Sequence, residues 1–157
     1  MLHFDYDDIA DFFLSDPGGY FKSYSTVAQQ VATCTEMYRF YAPDIEVATY
    51  FPMLMVVNRE QFLKISCAHP HIQETLIPQH YAIDEKQGLL AVLLNATFEI
   101  KSTGEVVEQE FTAHYKLTKD KNDDLKIEKL WIFAEWVPPG RTNIVDLYED
   151  AFKAALS

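Results

Sequence analysis

The sequence predicts an α+β fold in which a strongly curved antiparallel sheet carries helices on its concave face. Apolar residues recur at helical spacing near the start of the chain, whereas the second half alternates apolar and polar residues with the period of β-strands. Short polar links, two of them containing glycine, separate the alternating segments and are typical of antiparallel neighbours. A chain of 157 residues that is 48% hydrophobic fits one domain, residues 1–157.

Two helices are predicted before residue 43. The first has apolar positions at helical spacing (Tyr6, Ile9, Phe12 and Phe13), and the proline and glycines of 15–19 end it. The second has a longer stripe with steps of four and three residues (Tyr20, Tyr24, Val27, Val31, Cys34, Tyr38 and Tyr41). We expect Pro43 to end this helix, because the residue before a proline is forced away from helical geometry.

The middle of the chain predicts one strand and one short helix. Glu46 to Val57 is rich in β-branched and aromatic residues, with Pro52 marking an edge or a bulge. Asn58 and Gln61 have the spacing of a capping box, in which each side chain accepts a hydrogen bond from the other's backbone N–H. A short helix is therefore expected directly after this strand.

The second half predicts a meander of four strands and a closing helix. The strands are expected at Ile72–Ile83, Leu89–Lys101, Val106–Thr118 and Leu125–Val137. Asn143 is placed to cap a helix with an apolar stripe of Ile144, Leu147, Tyr148, Ala151, Phe152 and Ala155.

Alternation in these strands predicts an apolar sheet face covered by the helices and a second face of mixed character. Leu93, Trp131 and Phe133 fall on the mixed face and are too apolar for a freely solvated surface. A symmetric homodimer through this convex face is the expected arrangement, since that is the commonest way to cover such a patch.

Charge and composition exclude several functions. The net charge of −11 argues against binding to nucleic acids or anionic membranes, which repel an acidic surface. The first residues carry no basic segment typical of a signal peptide, so a cytoplasmic protein is expected. The sequence contains no Gly-x-Ser-x-Gly elbow, phosphate-binding loop or dinucleotide fingerprint, and we expect neither a metal nor a cofactor.

Three short motifs carry a resemblance to a known family. Phe40–Val47, Asn58–Phe62 and Asp124–Leu130 are similar to the helix–strand junction, the start of the short helix and the turn into the last strand of the nuclear transport factor 2-like superfamily. The order of elements resembles its SnoaL-like branch of cyclases, isomerases and dehydratases. The resemblance implies a cone-shaped roll of the cystatin-like type. It also implies a pocket for a hydrophobic carbonyl compound, with acid–base chemistry that needs no cofactor.

The candidate site residues follow from strand parity and chemistry. His80 and Tyr115 are the candidate catalytic groups, although Tyr115 also fits a core aromatic role and the proline at 78 leaves the direction of His80 open. The candidate ligand-binding residues are Tyr50, Phe98, Gln109, Phe111 and Trp136. The alternative hypothesis is a domain of the same fold that only binds a ligand or associates with a protein.

Overall fold

The computed structural model describes residues 2–26, 33–50, 54–67 and 71–143, together with positions 146, 149 and 153. Helices α1 and α2 and a 3-10 helix come before the first strand, and α3 follows the second; their bounds are Tyr6–Leu14, Tyr20–Thr26, Cys34–Phe40 and Arg59–Cys67. The strands β1 to β6 are Tyr41–Tyr50, Leu54–Val57, Ile72–Asp84, Leu89–Ile100, Val106–Lys119 and Leu125–Ala134.

The six strands form one sheet in the order β2-β1-β6-β5-β4-β3. Neighbouring strands run antiparallel except for β1 and β6, which are parallel. The α+β fold class and the predicted meander of four strands, β3 to β6, are confirmed. A parallel pair needs a long connection between its strands, and β2, α3, β3, β4 and β5 form that connection between β1 and β6.

One face of the sheet, here called the inner face, forms the core. Along β5, residues alternate between buried and exposed from Val106 to Tyr115, as the sequence predicts. The buried apolar side chains of β5 belong to one cluster with Ile9 and Phe13 of α1 and Tyr20 and Phe21 of α2. The described helices therefore cover the inner face with their buried side chains. We call the opposite face of the sheet the outer face.

Side-chain caps define the starts of α1 and α3. Asp5 caps α1, since its side chain accepts a hydrogen bond from the backbone N–H of Asp7 at 2.9 Å. Before α3, the side chains of Asn58 and Gln61 each accept a 2.9 Å hydrogen bond from the other's backbone N–H. This is the predicted capping box.

The prediction of one helix from Tyr20 to Tyr41 is wrong at its carboxyl end. The helix α2 is described as far as Thr26, residues 27–32 lie outside the described part, and Cys34–Phe40 is a 3-10 helix. Tyr41 already begins β1, and Pro43 lies within that strand, exposed, where the pairing with β6 shifts register. Strand pairing with β6 thus overrides helical periodicity.

The predicted single strand from Glu46 to Val57 is two strands. Val47 pairs with Val57 and Tyr50 with Leu54, so β1 and β2 form an antiparallel hairpin. The connecting residues 51–53, which include Pro52, lie outside the described part, as does the apolar stripe of the predicted closing helix. Positions 146, 149 and 153 are helical.

Candidate active site

A carboxylate lies on the inner face of the sheet. Glu74 of β3 is 7% exposed and pairs with Phe98 of β4, which in turn pairs with Val107 of β5. Both of these neighbours are buried apolar residues. A carboxylate in such surroundings is destabilised as the anion unless polar groups or charges compensate it, which makes Glu74 the chemically unusual group of the core.

A hydroxyl group of α2 contacts this carboxylate and in turn contacts a hydroxyl group of α3. The Tyr24 hydroxyl of α2 lies 3.4 Å from Oε2 of Glu74 and 3.4 Å from Oγ of Ser66 in α3. The Ser66 hydroxyl donates to the backbone carbonyl of Phe62 at 3.0 Å. Both distances from Tyr24 are long for O–H···O bonds, so each of these two contacts is weak.

Three further tyrosines form a buried cluster beside this group. The hydroxyl oxygens of Tyr20 and Tyr41 lie 2.9 Å apart, and the ring of Tyr20 also contacts that of Tyr115. Burial raises the pKa of Tyr20 well above its usual value, and the charges of Tyr41 and Tyr24 raise it further. Burial likewise raises the pKa of Tyr115, followed by its interactions with Tyr20 and by the charge of Glu74. Both hydroxyls therefore stay protonated at neutral pH, and each keeps a hydrogen that it can donate.

Aromatic packing fixes the position of Tyr115. Its ring centroid lies 5.0 Å from that of Phe13, 5.4 Å from Tyr20 and 5.7 Å from Phe21. Tilted and edge-to-face contacts at these distances are favourable. The tyrosine cluster is therefore held by α1 and α2 against the middle of the sheet.

Four of the sequence-predicted site residues share this inner face. Tyr115, Phe98, Phe111 and Gln109 are all buried, and their predicted orientation is confirmed. The side-chain amide of Gln109 donates to the backbone carbonyl of Glu135 at 3.3 Å, which anchors it to the chain after β6. Their roles in catalysis or ligand binding stay predictions.

The predicted inward positions of Tyr50 and Trp136 are wrong. Tyr50 pairs with Phe133 in the sheet, and the two rings stack on the outer face with centroids 4.6 Å apart. Trp136 is 78% exposed because β6 ends at Ala134, before strand alternation reaches it.

His80 also lies away from the inner cluster. The register of β3 shifts between Pro78 and His80, as the sequence suggests for this proline, and His80 then pairs with Leu93. Because Leu93 belongs to the outer face, the exposed His80 side chain is placed there too. The structure therefore does not bring the two candidate catalytic residues together.

The outer face carries the predicted apolar patch. Leu93 pairs with Thr112 and Thr112 with Phe133, while Trp131 occupies the next outer position of β6. We call Tyr50, Leu93, Trp131 and Phe133 the outer patch. Leu93 and Trp131 are half-buried, and Phe133 is 39% exposed.

Sequence reasoning missed Glu74, although a signal exists. Ile72, Glu74 and Leu76 share one parity, and the buried Ile72 begins the strand. Counting from Ile72 would have placed the carboxylate on the inner face. Tyr24 lies in the core, as its place in the apolar helix stripe predicts. Nothing in the sequence connects it to Glu74, because the two residues are far apart along the chain.

Two surface hollows lie apart from this carboxylate. One of about 510 Å³ runs between α1 and the turn before β6, and its lining includes Asp8, Asp11, Arg39 and Lys126. A smaller one of about 280 Å³ has Glu110, Glu135 and Arg141 in its lining. Within the described residues no three His, Cys, Asp or Glu side chains are grouped so as to hold a metal ion. Neither hollow includes Glu74 in its lining.

Solved structures share this fold. The chain is 11% identical to AusH from Aspergillus nidulans, with a TM-score of 0.65 over 90% of this chain and 95% of that one. The BvnE pinacolase from Penicillium brevicompactum is 12% identical, with a TM-score of 0.55 over 86% and 92% of the two chains. An NTF2-like protein of unknown function from Exiguobacterium sp. 255-15 is 11% identical, with a TM-score of 0.54 over 75% and 96%.

These similarities show that the chain has the nuclear transport factor 2-like fold that the sequence motifs resemble. Enzymes are among the proteins that share this fold with the chain. No family model and no curated protein matches the sequence. Of the helices that the structure describes, none has the length and apolar character needed to cross a bilayer.

Proposed function

We propose that the protein is an acid–base catalyst that acts on a hydrophobic carbonyl compound without a cofactor, with Glu74 as the proton-transferring group. The observation that carries this proposal is the placement of the Glu74 carboxylate in the apolar interior, 3.4 Å from the Tyr24 hydroxyl. A carboxylate in an apolar site is a stronger base than one in water, because its anion is poorly solvated.

The proposed step is the removal of a proton from the carbon next to a carbonyl group. A carboxylate oxygen of Glu74 takes the proton, the electron pair of the C–H bond forms the carbon–carbon double bond of an enolate, and negative charge moves to the carbonyl oxygen. In a ketone whose carbon–carbon double bond is β,γ to the carbonyl group, return of the proton to the γ carbon of the extended enolate completes an isomerisation. An enolate oxygen needs hydrogen-bond donors; the Tyr24 hydroxyl is 3.4 Å from Glu74, and the protonated hydroxyls of Tyr20 and Tyr115 are further candidate donors.

The comparisons support an enzymatic role without specifying a reaction. A structure that shares this fold is named a pinacolase, and another shares the fold with no known function. Because one fold hosts many activities, the proposal depends on Glu74 and its neighbours rather than on the likeness.

Deuterium exchange tests this proposal. Benzylacetone is a small apolar ketone whose protons next to the carbonyl exchange slowly in D2O, and proton NMR measures the rate. We expect the wild-type protein to accelerate this exchange and Glu74→Gln to lower the acceleration by about a hundredfold or more. Glu99→Gln, which alters an exposed glutamate of β4, is the matched control. Equal rates with wild type and Glu74→Gln, or no acceleration by wild type, would contradict the proposal.

The exposed stack of Tyr50 on Phe133 favours a second function, association through the outer patch with a second copy of this chain. Lys116 pairs with Lys129 at one end of this face, and the backbone N–H of Glu110 donates to the Glu135 carboxylate at the other. A twofold axis that lies in the interface perpendicular to the strands would therefore place unlike charges together.

The ion pairs of these lysines do not oppose association. Lys116 lies 3.6 Å from Glu128 and Lys129 lies 3.7 Å from Glu46, both at exposed positions where a pair contributes little. Sedimentation velocity tests the arrangement: wild type should sediment as a dimer and Phe133→Glu as a monomer. A monomeric wild-type protein at micromolar concentration, or a dimeric Phe133→Glu variant, would refute it.

A further inference from the structure

Another polar group is buried on the inner face at the other side of the sheet. Thr49 of β1 is 4% exposed and pairs with Ile132 of β6, which pairs with the fully buried Ala113 of β5. Val47, two positions earlier on the same strand, is also a core residue, so Thr49 points to the inner face. Its hydroxyl oxygen is buried and has no hydrogen-bond partner within the described part of the structure.

The buried hydroxyl of Thr49 lowers the stability of the folded protein. Leaving a buried hydroxyl without a partner costs about 1–3 kcal/mol, and such groups are rare in folded proteins. The neighbouring side chains in the sheet, Met55 and Ile132, offer no strong donor or acceptor. Valine has almost the same shape as threonine and would fill this position without that cost.

Thr49 and Glu74 are too far apart along the sheet to bind one functional group. Strands β6, β5 and β4 lie between β1 and β3, so the two residues are four strand spacings apart. That separation is about 19 Å measured along the sheet and shorter across its concave inner face. Any group that hydrogen-bonds to Thr49 is therefore distinct from the carbonyl group whose neighbouring proton Glu74 is proposed to remove.

We propose that Thr49 binds a second oxygen function of the ligand, such as a hydroxyl group at the end remote from the reactive carbonyl. This inference rests on the proposed function for the identity of the reactive end. It narrows the substrate class to apolar compounds that carry a polar group at each end, and it makes Thr49 a specificity-determining residue.

Two matched ketones test this assignment. Benzylacetone and its para-hydroxy derivative differ only by a hydroxyl group at the end far from the carbonyl, and calorimetric titration gives the dissociation constant of each. We expect the wild-type protein to bind the hydroxylated compound about fivefold to tenfold more tightly, as one added hydrogen bond implies. Thr49→Val should remove this preference, and Thr49→Ser should retain it.

Thr112→Val is the control, because it makes the same change at an exposed position of the outer face. Thermal unfolding shows that each variant is folded, and Thr49→Val should unfold at or above the wild-type temperature, since it removes an unsatisfied hydroxyl. A preference that persists in Thr49→Val overturns the assignment, and so does a wild-type protein that binds both ketones equally or binds neither.

The two proposals fail separately. The binding comparison involves no proton transfer, so an unchanged preference in Thr49→Val refutes the role of Thr49 even where Glu74 governs the exchange of benzylacetone. A preference that depends on Thr49, found together with no accelerated exchange, supports the ligand site and refutes the proposed chemistry.

Discussion

The hydroxyl of Tyr24 lies 3.4 Å from the Oε2 atom of Glu74, and this contact joins helix α2 to strand β3 in the interior of the protein. It connects two residues that are 50 positions apart in the sequence. Tyr24 supplies a polar partner to a carboxylate whose neighbours on the sheet are apolar, and it also contacts Ser66 of α3. The environment of the candidate base is thus assembled from three separate elements.

Removal of the Tyr24 hydroxyl should slow proton transfer without unfolding the protein. We expect Tyr24→Phe to lower the rate of deuterium exchange into benzylacetone by about tenfold, because the ionised carboxylate that must accept the proton loses the hydroxyl that stabilises it. Tyr6→Phe, at an exposed position of α1, should leave the rate unchanged. An exchange rate in Tyr24→Phe equal to that of wild type would show that this hydroxyl plays no part.

Tyr115 and His80 should differ sharply when substituted. Tyr115 lies in the buried cluster with a protonated hydroxyl, whereas His80 is exposed on the outer face. Tyr115→Phe should therefore weaken binding of benzylacetone or slow its exchange by about tenfold, and His80→Ala should change neither. The titration and exchange assays above measure both effects. If His80→Ala lowered binding or exchange of benzylacetone more than Tyr115→Phe did, the site would lie on the outer face, which would contradict the proposed function.

Alkaline pH should destabilise the protein through its buried tyrosines. The pKa values of Tyr20 and Tyr115 are raised in the folded state, so above about pH 10 the unfolded chain loses protons that the folded protein keeps. Stability contributed by these groups is complete below pH 10 and is lost as the pH rises above it. Urea unfolding between pH 8 and 11 measures this loss, which should be smaller in Tyr115→Phe. Equal pH dependence in wild type and variant would argue against the shift at Tyr115.

Gly88 should be less tolerant of substitution than Gly104. Both have a positive φ angle, +68° and +73°, but a Cβ atom at Gly88 would lie 2.6 Å from the ring of Phe4, whereas one at Gly104 meets nothing within 4 Å. Gly104→Ala should lower the free energy of unfolding by about 1 kcal/mol from backbone strain alone. Gly88→Ala should lower it further by displacing Phe4 from the core, and equal losses in urea unfolding would contradict that packing.

The sheet was predictable because its signal is local. Alternation along β4, β5 and β6 identifies the buried face, and the residues of the Asn58–Gln61 capping box are three positions apart. The same logic failed at Tyr50. Val47 and Ala48 are both apolar and buried, so alternation alone does not show which parity of β1 faces the core, and the pairing of β1 with the distant strand β6 decides it.

The candidate site was only partly predictable. Phe98, Gln109, Phe111 and Tyr115 follow strand parity and were assigned to the correct face. Glu74 obeys the same parity, but its importance lies in its contact with Tyr24, which arises only when α2 packs on β3. Tyr20 and Tyr41 do meet, as their shared stripe suggests, yet a helix and a strand bring them together rather than one helix.

The position of a bound ketone relative to Glu74 decides whether this carboxylate can be the catalytic base. Nuclear Overhauser contacts between benzylacetone and the isotope-labelled protein report which protons lie within about 5 Å of one another. If Glu74 is the base, we expect contacts from the protons next to the carbonyl group to the side-chain methylene protons of Glu74, and none to Tyr50 or His80. Contacts confined to Tyr50, His80 or other residues of the outer face would contradict it.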